Sequence, residues 1–444
     1  MKRLAVLIFT LWRLDCFAQD SLQELSLNEC IELALKNNID AGKKHINTQS
    51  AKLNLQQERA NLLPSVNAGF TYGLNLGRSI NPQTNTYVNE HISYANPYLG
   101  GSLLLFNGMA QQNSIKQYLY LYKATEQEEV LAKNELSLNV ILSYIEVLTC
   151  SDLLKLARLR QQTTSRQVER IDALNQSGAI SPSDFFDLKG QFANDKLAET
   201  NADNQLQNAI FSLVKLMNIP YSEGLRFAVL NTDDFELNYA DTVSEILQNG
   251  LSNFASVKIA DSQRRSAYFK FKTDRAFLYP TITFNSGITS NYSNKAVDIQ
   301  DKPLTYFEQF NNNLSKSFSL NLSIPVFHNF SKRTNKALAQ LQQRQSDLIA
   351  ESTRIQLQQL IRQAYFNMTA SKERYLNSLE QVNAYKESYR ANEIRFNAGA
   401  INATDYLISK NNLDRANIAV LTNRYDFIVR RKVLDFYQGK SLKQ

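Results

Sequence analysis

The chain has 444 residues, of which only 14 are glycine and 8 are proline, and its formal net charge is +7 at pH 7. Scarce glycine and proline favour long helices, because these residues cost roughly 1 and 3 kcal/mol in a helix interior, and an enzyme of this size usually has more glycine in its loops. The charge is spread along the chain without a block of basic residues, so nucleic-acid binding is not indicated.

Residues 1–18 are predicted to be a secretory signal peptide. They combine a basic start, an apolar run over residues 4–12 and a small residue, Ala18, where a signal peptidase cleaves. A lipoprotein signal anchored through Cys16 is the alternative, and Asp15 disfavours it because that position requires a small residue. We therefore expect an exported protein.

Two cysteines, Cys30 and Cys150, remain in the predicted mature chain. A disulfide is allowed in an exported protein, but cysteines within helical patterns are more often free and buried, and the pairing is left open. No later stretch approaches the roughly eighteen apolar residues of a transmembrane helix. An exported chain of this kind is periplasmic, secreted or a β-barrel.

The chain repeats itself at about half its length. Gly178–Phe185 matches Gly399–Tyr406 at an offset of 399 − 178 = 221, and Pro64 matches Pro280 at 280 − 64 = 216. The offset of 221 also relates Phe106 to Phe327 and Tyr144 to Tyr365. We predict two structural repeats, 19–230 and 231–444, each with the order helix, strand, loop, strand, very long helix, turn, helix.

The first helix is predicted to begin at Ser26, where Glu29 completes a capping box, and to continue to about Leu63 before Pro64, with a loosened turn near residues 37–38.

The long helix is predicted from about Gly108 to Ser177. Apolar residues at a 3-4-3 spacing, typical of a coiled-coil seam, recur along it: Leu138, Ile141, Ile145 and Leu148. About 70 residues of helix would extend on the order of 100 Å. A generic coiled-coil rod explains this stripe equally well.

Four segments alternate between apolar and polar residues, as strands do between two unlike environments. They are predicted at about 65–77, 97–106, 281–292 and 315–327. In the first, Val66, Ala68, Phe70, Tyr72, Leu74 and Leu76 oppose Asn67, Gly69, Thr71, Gly73 and Asn75. In the last, Phe318, Leu320, Leu322, Ile324 and Val326 oppose Ser317, Ser319, Asn321 and Ser323. The second segment is less regular: Leu99, Leu103 and Leu105 alternate with Tyr98 and Ser102, but Leu104 interrupts the polar face.

Strands of about ten residues suit a tilted crossing of a bilayer, with the small polar face toward a water-filled lumen. A soluble sandwich is disfavoured, because four strands cannot cover one another and leave the helices extended. Four strands are too few for a spanning barrel, which needs about eight, and unpaired strand edges cannot face lipid. Several chains are therefore expected to share one barrel, with long polar loops at about Arg78–Ser93 and Asn294–Asn313.

These motifs, in this order and duplicated, resemble the TolC-like outer-membrane efflux proteins along essentially all of the mature chain. Leu25–Asn38 is similar to the family's opening helix, and Leu105–Gly108 and Ile324–Phe327 to its two strand-to-helix junctions. The Gly-Ala-Ile turns, followed by Asp184 and Asp405, resemble its two helical hairpin tips.

The resemblance implies an α+β homotrimer with long antiparallel helical hairpins, packed as a coiled-coil α-barrel, and four strands per chain in a shared twelve-stranded β-barrel. It implies an outer-membrane channel of a Gram-negative bacterium, with its helices in the periplasm. Such a channel is a passive exit duct of a tripartite efflux pump or type I secretion system. Its partners would be a periplasmic adaptor (membrane fusion) protein, an inner-membrane transporter and outer-membrane lipid.

No covalent chemistry is expected. His45, His91 and His328 fall in three different predicted elements and suit surface positions better than a metal site. No P-loop, nucleophile elbow or zinc-helix motif is present. The sequence therefore predicts no catalytic residue, no cofactor and no metal.

The two tip glycines, Gly178 and Gly399, are predicted to cap their helices in a left-handed conformation. Helix termination alone would explain them. The hypothesis beyond it is an adaptor contact formed by Ser177, Gly178, Ala179, Ala398, Gly399 and Ala400.

Asp184 and Asp405 follow these glycines by six residues and would suit acids at helix N-termini. The resemblance implies that they also narrow the channel as a ring of acidic side chains. Ile401 and Ile408 stand where the family's best-known members have a basic residue and a second acid, so a latch at Ile401 is not expected.

Two other functions remain open from the sequence: a pore-less periplasmic coiled-coil scaffold and a stand-alone porin. The scaffold would be extracted without detergent, and a porin has no need of two long helical hairpins. The exported cargo is not indicated.

Overall fold

The computed structural model describes residues 24–80, 85–89, 91–177, 180–222, 224–230, 237 and 239–440. The predicted signal peptide, Cys16, Gly178 and Ala179 lie outside this part of the chain. The chain divides into two compact units, unit 1 (Met1–Gly42, Ala132–Phe254 and Gln358–Gln444) and unit 2 (Lys43–Leu131 and Ala255–Leu357).

Helices dominate the described residues. In chain order they are α1 (Leu27–Asn37), α2 (Ile39–Ala60), α3 (Ala110–Gln176), α4 (Pro182–Met217), α5 (Val243–Asn253), α6 (Ala255–Ala276), α7 (Tyr306–Asn312), α8 (Ser331–Asn397) and α9 (Ala403–Gln438). The lengths recur in the two halves of the chain: α1 and α5 have 11 residues, α2 and α6 have 22, α3 and α8 have 67, and α4 and α9 have 36. None of these helices is long and apolar enough to cross a membrane.

The strands of the described residues are β1 (Glu24–Leu25), β2 (Ser65–Asn75), β3 (Arg78–Ile80), β4 (Tyr87–Asn89), β5 (Ile92–Phe106), β6 (Arg226–Phe227), β7 (Thr281–Thr289), β8 (Tyr292–Ser293) and β9 (Ser315–Ser323). The main sheet lies in unit 2 and has five strands: four in the order β2-β5-β7-β9, and the short β8, which also pairs with β5. Every pairing is antiparallel.

The capping box predicted at the start of the first helix is confirmed. The Ser26 backbone N–H donates to Glu29 Oε2 at 2.8 Å, and the Glu29 N–H donates to the Ser26 hydroxyl at 3.3 Å. The Ser26 backbone N–H and the Ser26 hydroxyl, which also donates to Glu29 Oε2 at 2.8 Å, lower the pKa of the Glu29 carboxyl. Thr242 and Glu245 repeat the arrangement at α5.

The loosened turn predicted near residues 37–38 is confirmed and is a complete break between two helices, and the second helix ends at Ala60 rather than Leu63. The chain turns extended at Asn38, and the Asn38 side chain accepts hydrogen bonds from the N–H groups of Asp40 and Ala41 at the start of α2. The side chain thus caps α2 and takes the place of a continuous helical hydrogen-bond ladder.

Unit 1 contains a small parallel pairing, β1 with β6, that the sequence did not predict. The fully buried Tyr144 of α3 connects the two segments, since its hydroxyl lies 3.0 Å from the Leu25 carbonyl oxygen and 2.7 Å from that of Ala228.

Cys30 and Cys150 are free and buried in the same unit. Burial raises the pKa of Cys30 to about 12 and that of Cys150 to about 11.

Several predicted strand boundaries need correction. The strand predicted to reach residue 77 ends at Asn75, and the one predicted from 97 already begins at Ile92. The third ends at Thr289 rather than 292, and the fourth ends at Ser323 rather than 327. Pro325 follows the last strand and has no N–H to donate to a ladder.

Two further details differ from expectation. A bulge in β5 places Phe106, rather than Leu105, opposite Ile282, because one extra residue shifts the alternation. The two long polar loops contain secondary structure that was not predicted, namely the β3–β4 pair in the first loop and the helix α7 in the second.

Candidate channel wall and helical tips

One face of the main sheet is largely apolar across its four long strands, with Ser93, Ser286 and Lys316 as polar exceptions. Residues directly opposite each other in an antiparallel ladder lie on the same face, and the register aligns Ala68 with Leu99, Leu99 with Ile288, and Phe284 with Leu320. Most of these side chains remain exposed, with Leu320 at 67%. A sheet face of this composition needs an apolar medium.

The opposite face is lined by small polar side chains. Its residues are Asn67, Thr71, Asn96, Ser102, Thr283, Asn285, Ser317, Ser319 and Asn321, and Leu104 interrupts them as predicted. The Ser102 hydroxyl donates to Asn285 Oδ1 at 2.9 Å across the strands. Hydroxyl and amide groups suit contact with water.

Two tyrosines of β5 cover two glycines of β2 on this polar face. Tyr98 is opposite Gly69 and Tyr94 is opposite Gly73. A Cβ at either glycine would lie 2.3 Å from the facing ring. Only glycine leaves room for the rings here, which links the register of the two strands to side-chain packing.

The sheet has two free edges within the chain. β2 pairs only with β5, and β9 pairs only with β7, among the described residues. Every residue of β9 is exposed. Free N–H and C=O groups on a strand with an apolar face require a pairing partner.

The tip between α8 and α9 in unit 1 has the cap geometry predicted for Gly399. Its φ is +72°, its N–H donates to the Phe396 carbonyl, and the Ala400 N–H donates to the Arg395 carbonyl at 2.8 Å. These two hydrogen bonds form a Schellman motif. Ala398, Gly399 and Ala400 are exposed, as is Ser177 at the other tip.

Asp184 and Asp405 both lie in the first turn of a helix, α4 and α9 respectively, as predicted. Asp184 is half-buried, and its Oδ1 accepts a hydrogen bond of 3.0 Å from the N–H of Ala403, the first residue of α9. The side chain of Asp405 is exposed. The structure therefore gives Asp184 a contact that joins the two tips.

A buried apolar cluster lies next to the tips. Phe396 and Tyr406 stack with ring centroids 4.7 Å apart, and Ile171, Leu188 and Ala403 complete the buried set. Ile401 packs against this cluster, which explains an apolar residue there, while Ile408 is exposed.

A buried ionic network lies further along the same helices, and the sequence did not predict it. Lys410 is 4% exposed and binds Asp414 at 2.8 Å and Asp195 at 3.3 Å. Thr164 donates to Asp195 Oδ2 at 2.6 Å. Arg160 pairs with Asp195 at 3.3 Å and approaches Asp414 at 3.0 Å without hydrogen-bond alignment, so that contact is ionic. Two cations and two anions thus join α3, α4 and α9 with no net charge.

The three histidines are separated in the fold. His45 lies 3.1 Å from Glu129, His91 is exposed, and His328 is an exposed residue just before α8. No group of three or more His, Cys, Asp or Glu side chains in the described part of the chain has the arrangement of a metal site.

Comparison with known proteins identifies outer-membrane efflux and export proteins. The family model described as outer membrane efflux protein matches residues 30–218 and 246–439. The chain is 22% identical over 392 residues to the pyoverdine export outer membrane protein OpmQ of Pseudomonas aeruginosa, which covers 84% of this chain and 76% of OpmQ.

Solved structures show the same fold. The CmeC outer membrane channel of Campylobacter jejuni aligns with a TM-score of 0.80 at 17% identity, over 94% of this chain and 87% of CmeC. The open state of the MtrE outer membrane channel of Neisseria gonorrhoeae aligns with a TM-score of 0.77 at 20% identity, over 94% of this chain and 89% of MtrE.

Proposed function

Since this chain belongs to the outer membrane efflux protein family, we propose that three copies of it form the exit duct of a tripartite efflux pump or type I secretion system. Family membership makes the chain an outer-membrane efflux channel subunit and decides against a pore-less coiled-coil scaffold. The trimer, the twelve-stranded barrel, the adaptor and the inner-membrane transporter belong to the proposal.

The main sheet with its two free edges carries this proposal. Its outer strands, β2 and β9, have 11 and 9 residues, about the length of a tilted membrane-crossing strand. Four strands cannot close a spanning barrel, for which about eight are needed. Three copies supply twelve, with the apolar face toward lipid and the Ser, Asn and Thr face toward water.

The duct is passive in this proposal. Small polar side chains line the sheet face toward the lumen. Transport energy comes from the inner-membrane transporter, and the duplicated halves, 19–230 and 231–444, each contribute one helical hairpin to the adaptor contact.

The tips are the proposed adaptor contact, at Ser177, Gly178, Ala179, Ala398, Gly399 and Ala400. Among the described residues, none lies within 4 Å of a Cβ added at Gly399. A knob of small residues leaves room for partner helices to approach closely.

Asp405 and Asp184 are the proposed constriction. Three copies of an exposed first-turn carboxylate, such as that of Asp405, would form a ring of negative charge in a narrow, poorly screened passage. Such a ring favours cations over anions.

The first experiment measures assembly and conduction. The chain is extracted from outer membranes with detergent, its mass is measured by light scattering, and its current is recorded in planar bilayers. We expect a trimer whose cation preference falls in Asp405→Asn. Glu387→Gln is the control, because Glu387 is an exposed acid of α8 already paired with Arg390 at 2.9 Å. A monomer would contradict the duct, and unchanged selectivity in Asp405→Asn would remove Asp405 from the constriction.

The second experiment tests the tip. Gly399→Val strains a backbone with φ of +72° and adds volume at the proposed contact. Gly190→Val is the control, since Gly190 is an exposed α4 glycine that also has open space around it. Chemical cross-linking to the adaptor in cells should fall for Gly399→Val and not for Gly190→Val. Equal cross-linking of both variants would place the contact elsewhere.

A further inference from the structure

The strand register of the two repeats is related by fixed offsets. In the first repeat Ser65 is opposite Ser102, and in the second Thr281 is opposite Ser323. The differences are 281 − 65 = 216 and 323 − 102 = 221, the same offsets that relate Pro64 to Pro280 and Phe106 to Phe327. Adding 216 to the β2 residue and 221 to the β5 residue of a pair in the first repeat therefore gives the corresponding pair in the second repeat.

The ladder between β5 and β7 joins the end of the first repeat to the start of the second. In it Ser102 is opposite Asn285, Gly101 is opposite Ser286, and Gly100 is opposite Gly287. The corresponding junction after the second repeat has β9 on one side. Its other side must be a β2 strand, and the chain's own β2 is at the far edge of the same sheet.

From this repetition we propose that β9 of one copy pairs with β2 of a second copy in one defined register. The offsets convert Ser102 to Ser323, since 102 + 221 = 323, and Asn285 to Gly69, since 285 − 216 = 69. The resulting ladder is antiparallel and has these pairs, with the β2 residue belonging to the second copy: Ser323 with Gly69, Leu322 with Phe70, Asn321 with Thr71, Leu320 with Tyr72, and Ser319 with Gly73. This inference rests on the proposed assembly and specifies its interface.

The chemistry of the pairs supports this register. Leu322 with Phe70 and Leu320 with Tyr72 fall on the apolar face, and the other three pairs fall on the polar face. A slip by one residue would place every apolar side chain of β9 on the polar face. The ladder also removes the free edges of β9 and β2.

A second contact follows from the same offsets. Within the chain Tyr279 packs against Gly108, at the junction before α3. The offsets convert this pair to Leu63 of the second copy and Asn329. Gly108 and Asn329 both have positive φ, +66° and +47°, so the backbone is left-handed at both positions. Leu63, which is 69% exposed in one copy, would become covered.

The interface is heterologous, because β9 of each copy meets β2 of the next. A heterologous contact gives a ring when the rotation between copies closes and an open filament when it does not, and the proposed trimer requires the closed form. The same five pairs would recur at every junction between copies, so a single cysteine pair reports on all of them.

The test is disulfide formation in the full-length chain in outer membranes. Asn321→Cys is combined with Thr71→Cys, both on the polar face. Directly opposite residues have Cα atoms about 4.5–5.5 Å apart, within the range of about 4.4–6.8 Å for a disulfide. We expect reductant-sensitive covalent oligomers on non-reducing gels, and none from either single variant.

Two matched pairs test the register, namely Ser319→Cys with Thr71→Cys and Ser323→Cys with Thr71→Cys. They correspond to slips of two residues, for which the diagonal separation is about 7–8 Å, so they should cross-link several-fold more slowly. Faster cross-linking of either pair would overturn the proposed register.

Light scattering of each reduced variant separates the two levels of failure. If the reduced variants are trimers and no pair cross-links, the β9–β2 ladder is wrong while the duct stands. If the unmodified chain is itself monomeric in detergent, the proposed function fails and the ladder fails with it.

Discussion

Tyr98 lies directly opposite Gly69 in the β2–β5 ladder, and its ring occupies the space that a Cβ at position 69 would need. Tyr94 and Gly73 repeat this relationship four residues further along β2. An aromatic ring that covers a glycine across the strands holds the two strands in register. These pairs therefore stabilise the part of the sheet that the proposed duct would use as its wall.

Gly69→Ala should weaken the sheet, because the new methyl group displaces the Tyr98 ring. Cross-strand pairs contribute about 0.2–1 kcal/mol, so we expect a loss of that order, seen as a lower temperature of heat dissociation on gels. Gly100→Ala is the control, since among the described residues a Cβ there would meet only the Ser286 carbonyl oxygen, at 4.0 Å. Gly69→Ala combined with Tyr98→Ser should lose less than the sum of the two single variants; additive losses would show that the ring and the glycine are not coupled.

Leu320→Arg and Ser319→Arg separate the two faces of β9. An arginine on a lipid-facing strand position costs about 2–4 kcal/mol at mid-membrane, whereas the polar face is predicted to contact water. Leu320→Arg should reduce the amount of assembled protein in outer membranes, and Ser319→Arg should not. Equal amounts of both variants would show that the apolar face does not contact lipid.

Lys410→Met should destabilise unit 1 strongly. The substitution removes the buried cation that binds Asp195 and Asp414, and breaking a buried ion pair typically costs about 3–5 kcal/mol. Lys155→Met is the control, because Lys155 pairs with Asp152 while 66% exposed and exposed pairs contribute about 0–1 kcal/mol. Thermal unfolding followed by far-UV circular dichroism should show a much larger shift for Lys410→Met, and shifts of equal size would refute a stabilising role of the network.

Asp184→Ala should loosen the start of α9. Ala403 would lose the carboxylate that accepts its N–H, and an unsatisfied partly buried donor costs about 1–3 kcal/mol. Amide hydrogen exchange at the first turn of α9 should accelerate, while Asp184→Asn, which keeps an acceptor oxygen, should change it less. The exposed neighbour Asp187 provides the control variant Asp187→Ala, and acceleration there of the same size would show that the effect is not specific to the Asp184 contact.

Cys30 and Cys150 should resist maleimide in the folded protein at pH 8. The thiolate is the reactive form, and burial raises the pKa of these thiols to about 12 and about 11, so little thiolate is present at that pH. In denaturant both should label, giving two adducts per chain by mass spectrometry if the signal peptide with Cys16 has been removed. Rapid labelling in the folded state would contradict their burial.

The sequence by itself determined the types and the order of the long helices and of the four long strands. Period-two alternation specifies which side chain of β9 faces which way, because successive residues of a strand point to opposite faces. Helix ends were equally local: Ser26 and Glu29 form a capping box three residues apart, and Gly399 has the left-handed conformation expected of a helix cap. These properties depend on neighbours in the chain and so leave a pattern in the sequence.

Tertiary structure alone decided the contacts between distant helices. Asp184 meets Ala403 across 219 residues, and Lys410 meets Asp195 across 215. On a helix, a charged side chain has the same periodicity whether it faces water or a partner on another helix, and only the rotation and packing of both helices bring the groups together. The bulge in β5 could not be predicted for a related reason. It is an extra residue relative to the partner strand β7, so it is defined only once the pairing of the two strands is known. These features depend on which distant residues lie close together in the fold, and a local sequence pattern does not contain that information.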